Sequence, residues 1–114
     1  MEKFMYLFRN GAEGQSLSPE AMQAHMQKWM VWMKTLGEKG VLAGGEPLEQ
    51  TGKQVTGTKK VVTDGPFTEA KEIVGGYLIV NAKDIDEAVE ISKGCPVFDV
   101  NGRLEVRPVH KMEM

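Results

Sequence analysis

The side chains of this 114-residue sequence that could do chemistry are a carboxylate ending a β-branched run, a histidine beside two tryptophans, and charged or aromatic groups next to paired glycines. Asp64 lies within V-V-T-D-G-P-F-T-E-A-K-E, residues 61–72. A carboxylate where a strand meets its loop is well placed to meet a ligand or move a proton. The same aspartate suits a turn, because its side chain can bond amides just ahead, glycine permits unusual dihedrals and proline fixes the exit angle. His25 precedes Trp29 and Trp32 at spacings of four and then three, which puts all three along one helical stripe. An imidazole there works as acid or base if the helix borders a pocket, and otherwise packs on tryptophan as a boundary residue. Trp29, Trp32 and Tyr77 are the candidate walls of such a pocket, with Asp64 and His25 as its polar ends.

Tyr77 follows Gly75-Gly76, and Glu46 follows Gly44-Gly45. Paired glycines leave room for a ligand or a neighbouring backbone, and close packing at a subunit seam is the simpler explanation. Arg103 and Arg107 share the parity of Glu105 on the last strand; they can grip an anion or pair with carboxylates. G-G-E-P lacks the Gly-Lys-Ser/Thr ending of a phosphate loop. Cys95 has only Lys93 nearby as a base and reads as an inert thiol. Glu69, Lys71 and Glu72 read as a solvated charged face.

The totals describe one globular domain, with 41% hydrophobic and 26% charged residues. A net charge of −2 lacks the basic excess that drives nucleic-acid binding, so no direct nucleic-acid partner is expected. No apolar run approaches a signal peptide or a membrane span, and a cytoplasmic protein is expected. One cysteine and two histidines provide neither a disulfide framework nor a metal cluster, so no metal and no cofactor are expected.

The elements that would position these groups follow from periodicity. Lys3 to Arg9 is apolar at consecutive positions, a strand covered on both faces. Gly11 to Ser18 reads as a loop. Ser18-Pro19 starts a long helix whose stripe of Met22, Met26, Trp29, Met33 and Leu36 reads as core, ending near Gly37 or Gly40. Val41 to Glu46 is a short strand, Pro47 to Gly57 a mobile hairpin loop, and Lys59 to Thr63 a strand leading into Asp64. Phe67 to Glu72 suits one helical turn, and Ile73 to Asn81 is a strand apolar on both faces. Asp84 and Glu87 form a capping box for a helix that buries Ile85, Ala88, Val89 and Ser92 and stops at Gly94. Arg103 to His110 is a last strand with one more polar face. This order is the ferredoxin-like β-α-β-β-α-β arrangement, an α+β fold. Two helices cover one sheet face only, so the apolar second face predicts a homodimer whose sheets pack together as an α+β barrel.

The motif at 61–72, G-G-Y at 75–77, D-E-A at 86–88 and G-R-L-E-V-R-P-V at 102–109 together resemble the DGPF branch of the YCII-related proteins, with A-G-G-E-P-L at 43–48 also in place. The resemblance spans most of the chain and implies the same dimeric barrel. It also implies association with extracytoplasmic-function sigma factors. YCII relatives suggest a dyad of a first-helix histidine and an aspartate before a proline. Here Cys95 precedes Pro96 and Trp29 stands near the histidine's place, so the dyad does not carry over. Two functions remain: a dimeric small-molecule-binding or regulatory domain, or a cofactorless lyase, isomerase or oxygenase in which His25 or Asp64 moves a proton.

Overall fold

The computed structural model describes residues 1–9, 17–49, 51–65 and 73–112. Its main sheet contains β1 (Glu2–Arg9), β2 (Leu42–Pro47), β5 (Val74–Ala82) and β6 (Arg103–Pro108), in the order β2-β5-β1-β6 and antiparallel throughout. Between β2 and β5 lie β3 (Gly52–Thr56) and β4 (Val61–Gly65), which pair with each other in a separate two-stranded sheet. Two helices, α1 (Pro19–Glu38) and α2 (Ile85–Ser92), complete the ferredoxin-like α+β arrangement. A short 3-10 helix, Pro96–Val100, leads from α2 towards β6.

Both helices lie on one face of the sheet, and strand parity decides which residues meet them. Phe4, Tyr6 and Phe8 of β1 and Leu78, Val80 and Ala82 of β5 are buried with Leu36 of α1 and Ala88 of α2. The alternate residues, Met5 and Leu7 on β1 and Tyr77 and Ile79 on β5, are half-buried on the other face. No described element covers that second face.

Local chemistry explains the helix ends. The Ser18 side chain accepts from the Ala21 amide at 3.1 Å, and Pro19 occupies the first helical position. At α2, Asp84 accepts from the Glu87 amide at 2.9 Å, while the Glu87 carboxylate accepts from the Lys83 amide at 3.0 Å, one residue before the usual partner. Gly40, at φ 71°, turns the chain after α1. No helix among the described residues is long and apolar enough to cross a membrane.

Three expectations change. Met22 and Met26 are 38% and 53% exposed, so the core stripe of α1 is confined to Trp29, Met33 and Leu36. Trp29 already meets Phe8, next to the last residue of β1, and the helix N-terminal to it extends past the strand's end. Ile85 and Val89 are likewise exposed, leaving Ala88 and Ser92 as the buried side of α2. The segment expected as a mobile loop contains β3, joined to β4 by a turn with positive φ at Gly57 and Lys60. The expected loop at 11–18 and helical turn at 67–72 fall largely or wholly outside the described residues.

Within the two glycine pairs, Gly45 and Gly76 lie close against the neighbouring strand of the sheet. A Cβ on Gly45, at φ 148°, would overlap Leu78 and the carbonyl of Tyr77, whereas one on Gly44 would meet nothing within 4 Å. Gly76 similarly lies against the Glu46 carbonyl, 3.1 Å from where its Cβ would be. Gly45→Ala is therefore expected to lower stability by about 3 kcal/mol and Gly44→Ala by well under about 1 kcal/mol, measured by urea unfolding.

Candidate functional site

The side chains chosen from sequence fall into three places. His25, Trp29 and Trp32 follow one another along α1 on the helical face of the sheet. The Trp29 indole N–H donates to His25 Nε2 at 3.0 Å. Its ring meets Phe8 edge-on at 5.0 Å and Trp32 edge-on at 5.8 Å, and Trp32 stacks on Tyr6 at 6.4 Å. This is a continuous aromatic row from the half-buried His25 into the core.

Tyr77 and Glu46 are register partners, and Arg107 is a partner of Met5; all three belong to the sheet face away from the helices. Tyr77 therefore cannot share a pocket wall with Trp29 and Trp32. On that same face Arg9 Nη1 donates to Glu105 Oε1 at 2.7 Å, and Arg107 Nε lies 3.9 Å from the other carboxylate oxygen. The result is an apolar centre of Met5, Leu7, Tyr77 and Ile79 with a charged β6 edge.

Asp64 is a strand residue of β4, and the turn expected over Asp64 to Phe67 falls partly outside the described residues. Its side chain is 92% exposed and accepts from Lys53 Nζ at 2.6 Å across the β3–β4 ladder. Pro66 to Glu72 of the motif lie outside the described residues. Among the described residues no hydrogen bond, ion pair or ring contact joins Asp64 to His25.

An open groove of about 410 Å³ lies between α1 and the segment after α2. Lys28, Trp32 and Thr35 line one side; Lys93, Cys95 and Asp99 line the other. Gly94 keeps it open beside the indole, since a Cβ there would come within 3.1 Å of Trp32 Nε1. Lys28 Nζ reaches Asp99 Oδ2 at 3.4 Å, and Lys93 Nζ donates to Glu90 Oε1 at 2.7 Å, so both cations sit at the rim. Sequence reasoning found Trp32 but not the groove, because its second wall is the 3-10 helix. The available signal was Cys95-Pro96, proline again at a first helical position, followed by Asn101 at φ 59° to end it.

Cys95 is buried, and its sulfur accepts from the Val97 amide at 3.4 Å. Burial pushes the thiol up to about 12; the Val97 amide opposes it, and the Asp99 carboxylate adds a smaller upward push. The protonated thiol is a poor nucleophile at neutral pH. Burial, with a smaller contribution from Cys95, also pushes the Tyr6 phenol up to about 12.

Residues 3–113 match the YCII-related domain, and the chain belongs to that family. Among solved structures it is similar to 5-chloro-2-hydroxyhydroquinone dehydrochlorinase from Burkholderia phenoliruptrix in complex with 2,5-dihydroxybenzoquinone, at 17% identity and a TM-score of 0.47 over 92% of this chain and 90% of that one. No curated protein matches the sequence.

The raised thiol and phenol dictate behaviour in alkali. The folded protein keeps protons that the unfolded chain releases, so neither group affects stability below the ordinary thiol value of 9.0. As pH rises from there towards 12 the unfolded state gains by ionising and stability falls. The urea midpoint is expected to drop over this window, and less steeply in Cys95→Ala, which retains only the Tyr6 contribution.

Proposed function

We propose that this YCII-related protein is a homodimeric, cytoplasmic ligand-binding domain of the DGPF branch, and that the groove beside Trp32 takes a small planar anion, such as an aromatic carboxylate. The observation that carries the reading is the groove itself: an indole wall, an opening kept clear by Gly94, and two exposed rim lysines for which a ligand carboxylate would compete with Asp99 and Glu90. The ordered motifs from Val61 to Val109 support the branch. Binding is favoured over proton transfer because the candidate acid–base groups are engaged elsewhere. His25 Nε2 already accepts from Trp29, and Asp64 holds Lys53 on an exposed strand. Cys95 lines the groove as a protonated thiol.

The homodimer is proposed from the uncovered sheet face. Its apolar centre of Met5, Leu7, Tyr77 and Ile79 needs a cover, and two-fold packing of two such faces brings the β2 edge, with Glu46, towards the β6 edge, with Arg107. Such a face is self-complementary in charge as well as in apolarity.

Both parts can be tested. Titration with benzoate and its hydroxylated derivatives, followed by tryptophan fluorescence, should show saturable binding and recovery of the compound unchanged. Trp32→Leu should weaken it by about ten-fold and Lys28→Gln or Lys93→Gln by a few-fold; absence of saturable binding across the series refutes the groove's role. Sedimentation equilibrium should give a dimer at micromolar concentration for the wild type and a monomer for Leu7→Glu, which charges the middle of the open face.

A further inference from the structure

We propose that the β3–β4 ribbon is an intersubunit arm: its valine face lies against a second copy of this chain. The inference rests on the homodimer reading and extends it to a surface outside the main sheet.

The ribbon lies in the chain between β2 and β5 and forms a sheet separate from theirs. The ladder persists past Pro47–Gly76 through the Leu48 amide donating to the Gly75 carbonyl at 3.0 Å, and the chain then forms β3 and β4 as a separate two-stranded sheet. Pairing register sorts its side chains into two faces. One carries Gln54 and Gly65, the ribbon's two half-buried residues; a Cβ on Gly65 would come within 2.7 Å of Gln54 Cγ, so the glutamine side chain covers this face at its base. The other carries the Lys53–Asp64 ion pair and, directly opposite each other, Val55 and Val62. These valines are 63% and 60% exposed. An isolated two-stranded ribbon is marginal in water, and a cross-strand valine pair contributes fully only when something dry lies on it.

The occupant is inferred from size. The chain has a radius of gyration of 15.8 Å, against about 13 Å for a compact domain of its length. It exposes 8344 Å², against roughly 6,200 Å² for a compact monomer of its mass. The excess of roughly 2,000 Å² is taken over the whole chain, the residues outside the described ones included, and is larger than the roughly 800 Å² that each partner gives to a standard interface. The open sheet face and the arm together supply surface on that scale. The ribbon also follows β2 within a few residues of chain, and β2 carries Glu46 beside Tyr77 on the open face, so a short tether links it to the proposed dimer surface.

The test compares the wild type with Val55→Thr/Val62→Thr, which keeps strand-forming side chains but makes the face polar. Sedimentation equilibrium should show the dimer dissociation constant rising by about ten-fold, with the circular dichroism spectrum unchanged. In the wild type, amides of residues 53–63 should be protected from hydrogen exchange in the dimer and lose that protection on dilution below the dissociation constant. A dimeric wild type whose dissociation constant is the same in the double variant, and whose ribbon amides exchange freely in the dimer, overturns the arm while leaving the sheet-face dimer standing. Ribbon protection that persists through dilution to monomer also overturns it, by putting the ribbon on its own chain. A wild type that is monomeric at micromolar concentration overturns both readings.

Discussion

The phenol of Tyr6, at the centre of β1, stacks on Trp32 of α1 while its hydroxyl donates to the Ala88 carbonyl of α2. One side chain thus fixes the sheet and both helices relative to one another. The buried hydroxyl would be costly without its partner, and the cost enforces a particular position of α2 instead of general apolar contact. Around it, Phe4, Phe8, Leu78 and Val80 fill the space that remains. The groove depends on the same arrangement, because Trp32 is both the surface on which Tyr6 stacks and the wall that a ligand would meet. A change at Tyr6 would therefore be felt in the groove without touching its lining.

Strand period explains how far the sequence could be read. Apolar residues at consecutive positions in β1 and β5 identified two central strands, and Ser18-Pro19 and Asp84 located the helix starts, because those signals are local. The candidate site was less legible. Placing Tyr77 with Trp29 and Trp32 requires the parity of β5 relative to the helices, which is set by the pairing of Leu78 with Tyr6 across the sheet. No local pattern in Ile73 to Asn81 reveals it, since both faces are apolar. The extent of β4 was also hidden: aspartate and glycine favour turns, yet pairing with Lys53 and Gly52 holds Asp64 and Gly65 in the strand. Tertiary pairing overrode propensity there.

Membership of the YCII-related family agrees with the domain built from the residues. Cys95 is closed off as a protonated thiol, and His25 is tied to Trp29. What remains accessible is shape: a groove walled by an aromatic ring, an apolar sheet face and a projecting ribbon.

The pairing of β1 has a further consequence, for the order in which the chain can fold. Tyr6 and Ala88 are 82 residues apart, and the strands that flank β1, β5 and β6, are both late in the sequence. On the ribosome the first strand waits, with Phe4, Tyr6 and Phe8 exposed, until most of the chain has been made. The β3–β4 ribbon closes over the short turn Gly57–Lys60 and can form long before. The least buried part of the structure is thus the earliest available, and the most buried strand is the last to find its neighbours. For a domain of this size that topology sets a slow folding step and a long interval in which an apolar strand is open to wrong partners.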